Sequence, residues 1–238
     1  MRIFIIVVAL VICAATVFFC LFGNTPTQID ANTAKADKIL AVEPLSQFPS
    51  LPTGCEAVAA VTVMRYLGSS MTPERFADEW LESNNDFYTV GESLFGPDPN
   101  AVFAGDPKTA NSFGCYGGAI VRAVNDFSLS FSAELRNPPS LDTLCEQYID
   151  NGAPVLVWVT IGMRQTSPGR SWVLPDGSIF TWMTGEHCMV LIGYNEKFYF
   201  FCDPQSGGLA AFEKSISQKR FEELGCQAVI INKRNPSA

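Results

Sequence analysis

Cys55 follows Pro52-Thr53-Gly54 and opens an apolar run, Ala57-Val58-Ala59-Ala60-Val61-Thr62-Val63-Met64. A run apolar on most sides reads as a buried helix, and Gly68 suits its end. Thr53-x-x-Glu56 has the form of a capping box, which places Cys55 at the helix start. Backbone N–H groups there lack intrahelical partners and the helix dipole is positive. Both favour the thiolate, which is the nucleophile. The competing reading is a small core residue, the common fate of a free cysteine. His187 is the single histidine of the chain and stands at the start of a strand far from Cys55. A thiol with a distant imidazole is the arrangement of cysteine hydrolases, while a structural, hydrogen-bonded histidine is the alternative. A third group must hold the ring. Asp203 ends the same hairpin and could do so, although Asp-Pro also starts turns. Gln47, upstream of Cys55, offers an amide N–H to an oxyanion, or is simply a solvated polar residue.

These residues need a scaffold. After the Cys55 helix, Thr72-Pro73-Glu74 starts a second helix, with threonine as cap and proline at the first position. Residues 83–112, rich in Asn, Asp, Gly and Pro, read as a long functional loop. Gly117 to Phe127 reads as helix, and Ser140 caps another over Leu141 to Asp150. Pro154 to Ile161 is a buried strand by length and β-branched content. Pro175-Asp176-Gly177 is a turn between two short strands. His187–Tyr194 and Phe198–Cys202 form a hairpin, Ser217–Leu224 a short helix and Gln227–Ile231 a last strand. Helices first and strands afterwards indicate an α+β fold.

Parity decides whether Asp203 can serve His187, because strand side chains alternate between faces. A plain two-residue loop at Asn195-Glu196 puts Asp203 on the face opposite His187. A three-residue loop, or an equivalent bulge, sets Asp203 opposite Met189 and diagonal to His187, within reach. The chemistry therefore requires the second arrangement.

Composition narrows the setting. Of 238 residues, 47% are hydrophobic and 17% charged, which excludes a disordered chain. The net charge of −8 and the scattered basic residues argue against nucleic-acid binding. A single histidine excludes sites that need two, including most zinc chemistry of that type. Ile3 to Phe22 is uncharged and long enough to cross a bilayer as a helix. Bulky residues at its exit favour a signal anchor over a cleaved signal peptide for residues 1–23. With Arg2 before it and the next lysine at Lys35, the domain is expected outside the cytoplasm; a secreted form is the alternative. Residues 24–43 read as a flexible tether and residues 44–238 as one domain.

Several blocks carry a resemblance: SQFPSLPTGCEAVAAVTVMRYLG around Gln47 and Cys55, GEHCMVLIGY from Gly185, and Phe201-Cys202-Asp203-Pro204. Together with FAGDP at Phe103 and SFGCYG at Ser112, they are similar to the peptidase C-thirty-nine-like cysteine peptidases, relatives of the double-glycine peptidases in the papain-like superfamily. The similarity covers most of residues 44–232. It implies a papain-like fold, with a helical first half whose nucleophile helix packs on an antiparallel sheet. It further implies Cys55 as nucleophile, His187 as base, Asp203 as orienting acid, Gln47 as oxyanion donor, a peptide or protein substrate, and neither metal nor organic cofactor. Cys115–Cys188 is the disulfide favoured, because both lie in the resembling blocks. The chain departs from the bacteriocin-processing branch in its longer Gln-to-Cys gap and in Glu56 after the cysteine. It also lacks the phosphate-binding motif of a transporter ATPase, so cleavage after Gly-Gly is not carried over. Transpeptidation, deamidation and cell-wall peptide hydrolysis share the nucleophile and stand as alternatives, as does a non-catalytic binding module.

Overall fold

A computed structural model describes residues 29–30 and 36–234, and the apolar segment Ile3–Phe22 lies outside them. Among the described residues no helix is long and apolar enough to cross a membrane. The order is β1 (Ile29–Asp30), β2 (Lys38–Ile39), α1 (Cys55–Tyr66), α2 (Pro73–Glu79), β3 (Ser83–Asn84), β4 (Tyr88–Val90), β5 (Ser93–Phe95) and β6 (Phe103–Ala104). Then follow α3 (Gly117–Phe127), β7 (Phe131–Arg136), α4 (Leu141–Leu144) running into a π-turn at Cys145–Ile149, and β8 (Val155–Thr160). The last part is β9 (Pro168–Val173), β10 (Ile179–Met183), β11 (Glu186–Tyr194), β12 (Phe198–Asp203), β13 (Gly208–Glu213), α5 (Lys214–Glu223) and β14 (Ala228–Lys233). The fold is α+β around an antiparallel sheet.

That main sheet runs β1-β13-β12-β11-β8-β14-β7, and β2 pairs with the end of β11 that β8 does not reach. Every residue of β8 is buried, as its continuous apolar run requires of a strand covered on both faces. The α1 helix packs on β11 and β8 and buries every residue from Cys55 to Met64. Each Val or Met so enclosed contributes roughly 1.5–3 kcal/mol of burial. The stretch read as a tether is partly held by the sheet: β1 and β2 pair with it, and Leu40 and Val42 are buried. The stretch 83–112, read as a loop, contains β3 to β6. Of these, β4 and β5 join β9 and β10 in a second, four-stranded sheet, packed by Phe87, Phe113, Trp172, Phe180 and Trp182. The strand β7 was not anticipated.

Two local readings are corrected. The capping box does not form: the cap residue is Gly54, with no side-chain cap bond. Thr53 instead donates to the Thr109 carbonyl at 2.9 Å, and the Glu56 carboxyl turns inward. The Cys115–Cys188 disulfide is also absent, both residues being free thiols. The Thr72 and Ser140 caps form as expected, accepting from the Arg75 and Thr143 N–H groups.

Candidate active site

Gln47, Thr53, Cys55, Ser112, Phe113, Ile161, Trp182, Glu186, His187 and Gln205 are among the residues lining one cavity of about 210 Å³. Of the four residues picked from the sequence, Gln47, Cys55 and His187 line it, and Asp203 joins them through its contact with His187. The His187 ring contacts Asp203, Nε2 lying 2.7 Å from Oδ1. A carboxylate only accepts, so Nε2–H is the donor in this contact. Asp203 Oδ1 also accepts the Gln205 N–H at 2.9 Å, so the turn role and the ring-holding role coexist. Burial pushes the Asp203 carboxyl up and is the largest single influence, but His187, the Gln205 N–H and Ser206 together outweigh it, and the group stays below the usual carboxylate range.

A bulge makes this contact possible. Near the turn, Tyr194 pairs with Tyr199 and Gly193 with Phe200. Carried on unbroken, that register would set Asp203 opposite Val190, on the wrong face. The ladder shifts between Leu191 and Gly193, after which Leu191 pairs with Phe201 and Val190 with Cys202. The next pair in that register is Met189 with Asp203, on the face of His187. The extra residue is thus a bulge at Ile192 rather than a three-residue loop.

Gln47 is buried. Its N–H donates to the Pro204 carbonyl at 3.0 Å and its Nε2 to the Pro52 carbonyl at 2.7 Å, while Oε1 has no partner. The first bond ties the Gln47 segment to the residue after Asp203. The second uses one amide hydrogen and leaves the other.

Cys55 opens α1 at 6% exposure, but its electrostatics differ from the helix-start expectation. Burial pushes the thiol well above its usual range, and the carboxyls of Glu56 and Glu186 push it further. The thiol donates to Glu56 Oε2 at 3.4 Å. Glu56 Oε1 accepts the Cys115 N–H at 2.6 Å, and Trp158 Nε1–H holds the Cys115 carbonyl at 2.9 Å. Burial raises the Glu56 carboxyl to about 7. Glu186, 7% exposed, is pushed well above the carboxylate range by burial and by Glu56, and its Oε1 lacks a partner. Cys55 Sγ, a Glu56 oxygen and a Glu186 oxygen all lie within 4.8 Å of one another. Gly114, at φ +138°, makes room: a Cβ there would sit 2.5 Å from Glu56 Oε1. Sequence reasoning missed Glu186, Gly114 and Trp182 and gave Glu56 a capping role. The one available signal was that Glu56 and Glu186 adjoin the two candidate catalytic residues. Ile161 and Trp182 line the cavity, and no residue of the segment 163–172 is among its lining residues.

Residues 39–229 match the model of the Peptidase_C39 like family. A curated relative, the uncharacterized protein YvpB of Bacillus subtilis (strain 168), is 26% identical over 211 residues, covering 89% of this chain and 81% of its own. The crystal structure of a candidate C39-like peptidase from Bacillus anthracis superposes with a TM-score of 0.71 at 21% identity, covering 84% of this chain and 99% of that one. This likeness shows the fold. The peptidase domain of Streptococcus ComA, a bi-functional ABC transporter, gives 0.49 at 15% identity, covering 81% and 99%.

Proposed function

The chain belongs to the Peptidase_C39 like family, and on that premise we propose that it is a cysteine peptidase using Cys55, His187, Asp203 and Gln47. The observation that carries this reading is the 2.7 Å contact between His187 and Asp203 at the wall of the cavity that also holds Cys55 and Gln47. In this mechanism Cys55 rests as a neutral thiol, since burial and two carboxyls oppose its charge. His187 Nδ1 takes the thiol proton as sulfur attacks the substrate carbonyl. Asp203 holds the ring and stabilises the imidazolium. The free Gln47 amide hydrogen and a backbone N–H at the start of α1 receive the oxyanion. The imidazolium then protonates the leaving amine, and water releases the acyl enzyme.

The apolar segment Ile3–Phe22 supports a membrane-anchored protein acting outside the cytoplasm. Peptide-library hydrolysis by the full-length protein tests the activity. Cys55→Ala is expected to lower kcat by about 10⁴-fold or more with the melting curve preserved. Full hydrolysis by that variant would overturn the assignment. Alkaline carbonate washing of membranes from the same preparation tests the anchor, which release of the chain would remove.

A further inference from the structure

Three potential ligand atoms, from Cys55, Glu56 and Glu186, meet within 4.8 Å, all three residues are buried, and Cys55 and Glu186 line the cavity. None of the ion pairs among the described residues reaches either carboxyl. Cys115, Tyr116 and Cys188 surround the group, and burial pushes the ionisation of each of them up. The site therefore concentrates potential negative charge, and His187 on the same cavity wall is paired with Asp203 rather than with either carboxyl. Glu186, 7% exposed, also leaves Oε1 unpartnered, a buried acceptor that a ligand or a proton would satisfy.

We propose that Cys55, Glu56 and Glu186 form a binding site for a thiophilic divalent cation of the Zn²⁺ type, whose occupation reversibly blocks the nucleophile. The spacing fits. Tetrahedral zinc, with Zn–S near ~2.3 Å and Zn–O near ~2.0 Å, sets sulfur and oxygen about 3.5 Å apart. Cys55 Sγ and Glu56 Oε2 stand 3.4 Å apart. The Cys115 N–H on Glu56 Oε1 supplies the outer hydrogen bond that orients a ligating carboxylate. Cys55 and Glu186 line the cavity, which leaves a fourth coordination position for water. The sequence argument against zinc concerned sites built on two histidines, and this donor set uses none.

On binding, the Cys55 S–H bond breaks, as does the O–H bond of any carboxyl then protonated. Zn–S and Zn–O bonds form, and the protons leave to buffer. Affinity therefore falls as pH falls. The sulfur lone pair that would attack a carbonyl is then held by the metal. The blocking claim rests on Cys55 being the nucleophile, while the binding claim does not.

The test titrates the reduced full chain with Zn²⁺ alone, and in parallel with Co²⁺. The expected result is one ion per chain, protection of Cys55 from iodoacetamide as mapped by mass spectrometry, and a thiolate-to-cobalt charge-transfer band. Glu186→Gln and Cys55→Ala are each expected to weaken binding at least ~10-fold. Protection and the cobalt spectrum are read on the unmodified chain, so a variant that fails to fold does not remove the test. Absence of a tightly bound ion overturns the proposal and leaves a proton shared by the two carboxyls as the occupant. Binding without a thiolate band, or undiminished in both folded variants, overturns it too. Hydrolysis that ignores added Zn²⁺ would remove the blocking role. One zinc bound at Cys55 in a chain with no hydrolysis, with or without chelator, would keep the site and remove the peptidase reading.

Discussion

The two sides of the cavity are assembled by different means. On the base side, His187 and Asp203 belong to one hairpin, and strand register brings them together. On the thiol side, Cys55 and Glu56 from α1, Glu186 from β11 and the Cys115 N–H converge from three separate stretches of chain. Their proton linkages also have opposite signs. Against the upward push of burial, Asp203 is held below its ordinary range by His187, Gln205 and Ser206 together, so its contribution is full above the unfolded carboxylate range and lost as pH falls through the lower folded value. Glu56 is raised by burial from 4.5 to about 7, so its contribution is full below about 4.5 and lost as pH rises through about 7. The base side resists alkali and fails in acid, and the thiol side does the reverse. A site of this kind works in the interval between.

The largest expected effect separates the two sides. Asp203→Ala, which leaves His187 Nε2–H without its acceptor, should lower kcat by about 10³–10⁴-fold through a misheld imidazole. The pH profile of Cys55 alkylation should not move. A shifted alkylation profile would show that the sides are electrostatically joined, which steady-state kinetics and iodoacetamide rates together decide. A smaller effect is expected at the seam. Gln47 is tied by its backbone to Pro204 and lines the cavity with Cys55. Gln47→Ala should cost about 10²–10³-fold in kcat with KM little changed. A loss confined to KM would make it a substrate-binding residue instead. The smallest effect sharpens the difference in sign. Glu56→Gln keeps an oxygen for the Cys115 N–H but cannot ionise. Urea unfolding should find it more stable than the parent at pH 8, on the order of 1–3 kcal/mol, and nearly equal at pH 5. An equal difference at both pH values would mean that Glu56 is not protonated on folding.

This contrast also explains what the sequence disclosed. Hairpin parity is an argument about counting residues, and it required a loop or bulge to place Asp203 on the face of His187; the bulge at Ile192 does this. The helix over Gly117–Phe127 and the strand β8 were legible from apolar pattern and flanking turn residues. The thiol side was not, because no local pattern announces that Glu186 will face Glu56 across the packing of α1 on β11. The helix-start argument for an easily ionised Cys55 used one local field. Full burial and two carboxyls, both set by tertiary packing, exceed it. Thr53-x-x-Glu56 misled for a related reason: the buried Cys115 N–H offers Glu56 a partner that the cap position cannot match.

The burial of Cys55 also bears on how the protein ages. Oxidants attack exposed thiolates first, and a neutral thiol beneath a protein surface is slow to climb to sulfenic acid. Of the six thiols in the described residues, five are buried and Cys226 alone is half-exposed. It stands outside the residues that line the cavity. Among the described thiols, chemical wear in air therefore starts at Cys226, as sulfenic acid or a disulfide joining two chains. The cavity sulfur stays reduced while the rest of the molecule records its exposure.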